Sequence, residues 1–400
     1  MFSKRIYMDY AAAAPEIPAA RKARRHAERL FGNASSIHKE GVAASRALAE
    51  ARRAVAATLD AHPDEIIFTA TGTESDNLAI LGACSHAIES GILPHPHFVT
   101  LATEHPAVLE RYRHMESLGA EVTYVSVGAD GRVDPKHVRE ALRPETVLVS
   151  VMYANNEIGT VQPIPEIAKE IRHFKKTLGR GQAAGSYPYF HTDACQAAHY
   201  LDMHADRLGA DLVSFSAIKM GGGHGAAALY VRRGTKLTPV QYGGGQEYSL
   251  RPGTENLPAI AAFAAACAVV EKEKSREAER LSALRDHFFA RIQKKFPEAR
   301  INGSREHRLP NNVHISFPGM ASELLVLELD ARGIAASAGS ACSASDESES
   351  QVLAALYGAG DGKQWGSVRF SLGRGTKKSD IAAALKALAS IMKKYSAWKK

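Results

Sequence analysis

Ile66-Ile67-Phe68-Thr69 is a short β-branched and aromatic run; Ala70-Thr71-Gly72-Thr73 follows it, and then a helical period spans residues 74–86. The same unit recurs down the chain. Strand-like runs at 97–101, 122–127 and 147–152 alternate with helical periods at 107–118, 134–142 and 164–174. Apolar runs that alternate with helices of this length predict parallel strands covered by helices. Further strands are expected at 189–191, 211–215 and 226–231, after a glycine-rich stretch at 175–188 that has no hydrophobic period and reads as a surface loop.

The texture changes after the Gly/Pro-rich segment 243–258. A long helix is expected over 259–296, followed by a strand at 313–317, a helix at 321–332, a strand at 367–372 and a last helix at 379–395. The expected fold class is therefore α/β, a large domain with a mostly parallel, helix-covered sheet plus a smaller α+β domain. The division places residues 16–255 in the large domain, with 1–15 and 256–400 in the small one.

The 400 residues carry 50 basic and 43 acidic side chains, a formal charge of +7. The basic stretches are short and lack interleaved aromatics, so neither nucleic-acid binding nor a membrane surface is expected. The longest small-apolar run, 259–270, is shorter than the ~20 residues of a membrane span. The start of the chain has no apolar core of a secretory signal. The four cysteines, Cys84, Cys195, Cys267 and Cys342, are widely spaced. That spacing argues against a zinc site or a disulfide framework, and it suits a cytoplasmic chain with reduced thiols.

Four features carry chemistry. Asp193, in His191-Thr192-Asp193-Ala194-Cys195-Gln196, ends an apolar run where an α/β sheet meets its ligands, although an Asp there also caps helices. Lys219 closes Asp211-Leu-Val-Ser-Phe-Ser-Ala-Ile-Lys219 just before Gly221-Gly222-Gly223; a lysine at a strand end can form a Schiff base or simply face solvent. The turn at Gly72-Thr73 offers a helix N-terminus to an anion, or only a cap. Cys342 stands in Gly339-Ser340-Ala341-Cys342-Ser343-Ala344-Ser345, with Asp346, Glu347 and Glu349 after it. Nothing in that segment can pack a core, so a mobile loop over about 338–350 with a reactive thiol is expected.

Taken in order, these features resemble the cysteine desulfurases of the class V aminotransferase superfamily, which are fold-type I pyridoxal-phosphate enzymes. The resemblance runs from Ile6-Tyr7-Met8-Asp9-Tyr10-Ala11 through Gly32-Asn33-Ala34-Ser35-Ser36-Ile37-His38, Thr73-Glu74-Ser75-Asp76-Asn77, Thr103-Glu104-His105 and Asn155-Asn156-Glu157-Ile158-Gly159. It continues at Arg251-Pro252-Gly253-Thr254 and closes on Arg369-Phe370-Ser371-Leu372-Gly373-Arg374. The segment around Cys342 is similar to the long cysteine loop of the branch that serves iron–sulfur assembly.

The resemblance implies roles. Lys219 would hold pyridoxal 5'-phosphate covalently and Asp193 would pair with its ring nitrogen. His105 would stack on the ring and Gln196 would meet the ring oxygen. Gly72, Thr73 and Ser216 would bind the phosphate, with Thr254 reaching the site of a second subunit in a homodimer. Asn156 and Arg369 would grip the carboxylate of L-cysteine. Cys342, with Lys219 and His105, would be catalytic, taking the sulfur as a persulfide for an acceptor protein such as an iron–sulfur scaffold. The family usually has histidine where this chain has Ile218, and its glycine-rich segment here reads Gly-Gly-Gly-His224-Gly. Weaker cofactor retention is expected, with His224 a candidate substitute. The alternatives are a selenocysteine lyase or another class V aminotransferase, and a degenerate scaffold that only binds partners.

Overall fold

The structure is a computed structural model, and it describes residues 5–178, 187–339 and 350–396. Cys342, and with it most of the expected cysteine loop, lies outside the described residues, as does the centre of the expected surface loop 175–188.

The described strands are β1 Ile6–Tyr7, β2 Ile66–Thr69, β3 His97–Leu101, β4 Glu121–Val125, β5 Thr146–Ser150, β6 Tyr189–Asp193, β7 Leu212–Ser216, β8 Ala227–Val231, β9 Arg300–Ile301, β10 Asn312–Pro318, β11 Ile334–Ala335 and β12 Trp365–Ser371. Seven of them form one sheet in the order β2-β8-β7-β6-β5-β3-β4. The neighbours from β7 to β4 are parallel, whereas β8 runs antiparallel to both β2 and β7. Every residue of β2, β3, β5, β6 and β7 is buried, which is why these strands read as unbroken apolar runs rather than as alternation. Strand β4 lies at the sheet edge and starts on exposed Glu121, a charge that blunts the edge.

Because β8 is reversed, the carboxyl ends of β2, β3, β5, β6 and β7 share one edge with the start of β8. Two smaller sheets, β12-β10-β9 and β1-β11, follow the 39-residue helix Leu257–Lys295 in the chain, except for β1 at the N-terminus. Strand β1 pairs with β11, and Asp9 bridges to Ser371 at the end of β12. The first residues of the chain are thereby tied to its last third. No described helix is long and apolar enough to cross a membrane.

Two local details differ from expectation. The helix after β2 spans Gly72–Glu89 and its cap is Thr71, whose hydroxyl accepts from the Glu74 amide at 3.1 Å. Gly72 and Thr73 therefore lie in the first turn, where backbone N–H groups have no partner within the helix. Lys219 lies not at the end of β7 itself but on a one-turn helix beyond it, Ala217–Met220, stopped by Gly221 at φ +77°. That left-handed geometry suits glycine.

Candidate active site

The strand ends converge on a cleft of about 310 Å³. Its walls include Gly72 and Thr73 after β2, His105 after β3, Asn156 after β5 and Asp193 at the end of β6. Cys195, Gln196, Ser216, Ile218, Lys219, His224 and Arg369 complete the features used below. Nine expected site residues thus meet in one cavity, although they span positions 72 to 369. Thr254 does not line it; it is exposed, directly after Gly253 at φ +105°.

The Lys219 ammonium donates to the carbonyls of Ala11 and Ala12, each at 2.7 Å. Gln196 Nε2 donates to the same Ala11 carbonyl at 2.9 Å. The sequence reading did not single out these two alanines, because backbone carbonyls leave no residue-type signal. Asp193 is buried, and its Oδ1 accepts from the Cys195 amide at 2.9 Å. Burial, then the negative charge of Asp76, push its carboxyl above the usual range, while His105 pulls it down. His105 caps the helix Pro106–Ser117, with Nδ1 accepting from the Ala107 amide at 3.1 Å. In the neutral ring the proton then sits on Nε2.

Two further acids that sequence reading also missed adjoin Asp193: Asp76, which lines the cleft, and Glu104, which does not. Asp76 and Glu104 are buried, and Asp76 Oδ1 is 3.5 Å from His191 Nε2. Burial holds the Glu104 carboxyl well above its ordinary value, and the charges of Asp193 and Asp76 raise it further. Their only sequence signal was the acid within Thr73-Glu74-Ser75-Asp76-Asn77 and Thr103-Glu104-His105.

Arg369 is almost fully buried. Its Nη1 donates to the Asn156 carbonyl at 2.8 Å and its Nη2 to Asp9 Oδ1 at 3.0 Å. Breaking a buried pair of this kind commonly costs ~3–5 kcal/mol. Cys195 lines the cleft with most of its surface covered. A Cβ on Gly72 would come within 2.6 Å of its sulfur, so the glycine is needed for the helix to approach that side chain. Cys84 and Cys267 are buried on helices.

The cleft combines a lysine, a buried carboxylate, an imidazole, an arginine and a helix N-terminus along one sheet edge. The model of the family described as "Aminotransferase class-V" matches residues 6–384. The chain belongs to the class-V aminotransferase family. Among class-V relatives, the cysteine desulfurase IscS of Dictyoglomus turgidum is 41% identical over 394 residues, covering 98% of this chain and 95% of that protein. Among solved structures, a NifS-like protein superposes with a TM-score of 0.87 at 29% identity, covering 98% of this chain and all of that one. A structure described as SspA in complex with cysteine gives a TM-score of 0.77 at 32% identity, over 92% of this chain and 99% of that one. The class-V match starts at the N-terminal strand and reaches into the last helix, so it takes in every residue of the cleft.

Proposed function

We propose that this chain is a cysteine desulfurase that converts L-cysteine to L-alanine with pyridoxal 5'-phosphate and carries the sulfur on Cys342 as a persulfide. The observation that supports it most directly is the placement of Lys219, Asp193, His105 and Arg369 around one cleft. Relatives named for cysteine desulfuration over nearly the whole chain support the same reading.

The residues present fit the cofactor. Gly72 and Thr73 offer first-turn N–H groups to a phosphate beside the Ser216 hydroxyl. Burial and the charge of Asp76 raise the Asp193 carboxyl, and a protonated ring nitrogen beside it would supply the counter-charge that favours its ionised form. When bound, the cofactor supplies an electron sink for the bonds at the substrate Cα. Lys219 would hold the cofactor, and its amine is placed to carry the proton lost from the substrate Cα. His105 would cover the ring, Gln196 would meet its oxygen, and Asn156 with Arg369 would orient the substrate carboxylate.

The Cys342 thiolate attacks the substrate sulfur. A sulfur–sulfur bond forms, the Cβ–S bond breaks, and its electron pair stays with the carbon fragment, which takes a proton and leaves as alanine. Cys342 plus cysteine thus becomes the persulfide plus alanine, without another oxidant. An aminotransferase on this scaffold would need a keto acid and no Cys342. Purified holoenzyme given L-cysteine alone should yield alanine and, with a reducing thiol, sulfide in equal amounts. A requirement for a keto acid would overturn the reading.

The chain is proposed to act as a homodimer, with Thr254 completing the partner's phosphate site. Phe31, Ile37 and Tyr242 expose large apolar surfaces in or beside the segments 32–38 and 243–254, which supports burial by a second copy. The division at residues 15 and 255, a cytoplasmic location and delivery to an iron–sulfur scaffold or a thiolation protein belong to the same reading.

Ile218 lines the cleft with Gly72, Thr73 and Ser216, yet it offers the phosphate no hydrogen bond. A charge-assisted hydrogen bond contributes roughly 1.5–3 kcal/mol. Ile218→His is therefore expected to tighten cofactor binding by about 10–100-fold in titration after dialysis. Equal dissociation constants would mean that His224, which lines the same cleft, already supplies that contact.

A further inference from the structure

We propose that Asp9 is a positioning residue that sets how strongly the cleft binds carboxylates, by neutralising Arg369 before substrate arrives. The proposal rests on the reading that Arg369 receives the substrate carboxylate.

The pairing is built into the fold. Asp9 follows β1, and its backbone bridges to Ser371, two residues beyond Arg369 on β12. The Tyr10 amide donates to the Ser371 carbonyl, and the Ala11 amide to the Ser371 hydroxyl at 2.9 Å. The next carbonyls, Ala11 and Ala12, hold Lys219. One short segment thus fixes both the lysine and the counter-ion of the arginine.

Two nitrogens of Arg369 are engaged, Nη1 by the Asn156 carbonyl and Nη2 by Asp9. Nε is buried with no hydrogen-bond partner among the described residues. A guanidinium so deep would be costly without a counter-charge, and Asp9 supplies it. An incoming carboxylate therefore meets a cation that already has an anion beside it. It must use the remaining N–H groups and accept repulsion from Asp9. The pairing keeps the arginine oriented in the free enzyme and lowers the affinity for any carboxylate.

Asn at position 9 keeps an oxygen that can accept from Nη2 but removes the charge. In Asp9→Asn holoenzyme, the KM for L-cysteine is expected to fall by about 3–10-fold, from loss of one like charge near the substrate carboxylate. The kcat should stay within about twofold, and the inhibition constant of propionate, a plain monocarboxylate, should fall by the same factor as KM. Asp9→Glu restores the charge and should return both constants towards the wild-type values. A purely structural role would lower Tm and kcat and leave the propionate constant unmoved; that outcome, or an unchanged or raised KM in a stable Asp9→Asn, overturns the proposal. Arg369→Gln separates the two levels of argument. If it raises KM at least about tenfold while Asp9→Asn changes nothing, only the role of Asp9 fails; if it leaves KM unchanged, the carboxylate reading of Arg369 fails and takes this proposal with it.

Discussion

Lys219→Ala is expected to reduce turnover by at least about a thousandfold, since proton transfer by a positioned side chain alone contributes ~10²–10⁴. The loss should exceed that of any other single substitution in the cleft, because one amine serves both as the attachment of the cofactor and as the carrier of the Cα proton. The fold around it should survive. Lys219 sits on a one-turn helix at the cleft wall, and its hydrogen bonds to the Ala11 and Ala12 carbonyls are made to a segment that is otherwise held by the pairing of residues 9–11 with Ser371. The variant should bind cofactor reversibly, with the visible spectrum of the free aldehyde, and should release it on dialysis. Full activity in Lys219→Ala, or a cofactor that still resists dialysis as in wild type, would show that another amine carries it.

Cys342→Ser is expected to lower sulfide release by at least about a hundredfold while leaving cofactor content and the spectral change on adding L-cysteine intact, because the thiolate is the nucleophile and serine cannot replace it. The three described cysteines strengthen this expectation. Burial pushes the Cys84 thiol up to about 11 and the Cys267 thiol up to about 12. The Cys195 thiol is raised well above its ordinary value, first by burial and then by the charges of Asp193 and Asp76. A thiol with a value near 11 is ionised in only about one molecule in a thousand at pH 8. Cys195 nevertheless lines the cleft, so it is the proper control. Mass spectrometry of the protein after reaction with cysteine should find one added sulfur in wild type and in Cys195→Ser, and none in Cys342→Ser. The reverse pattern would move the nucleophile to Cys195.

Most of the fold was legible because its strands are buried on both faces and its helices are long. Strand β7 and the helix Leu257–Lys295 each lie within two residues of where hydrophobic pattern alone puts them. Boundaries set by a single hydrogen bond were not legible. The choice of Thr71 rather than Thr73 as the cap after β2 depends on which hydroxyl reaches the Glu74 amide, and both residues have the same propensity. The turn of helix under Lys219 was hidden for a related reason: four residues cannot display a helical period.

The site divides in the same way. Residue types at the ends of apolar runs identified Asp193, Lys219 and the Gly72-Thr73 turn as candidates from the sequence itself, since a parallel sheet presents those ends to ligands. The string of motifs from Asp9 to Arg374 named the family and its chemistry. Proximity belongs to tertiary structure alone. That Arg369 on β12 faces Asp9 across 360 positions follows from β12 and the N-terminal segment bridging at Ser371, a long-range contact with no local signature. That Asp76 and Glu104 are buried near Asp193, and that Ala11 and Ala12 hold the lysine, are likewise decided by packing. Sequence determines which groups the chain carries and the periodicity that folds it; the desolvation and charge pairing that decide what those groups can do arise only when distant segments meet.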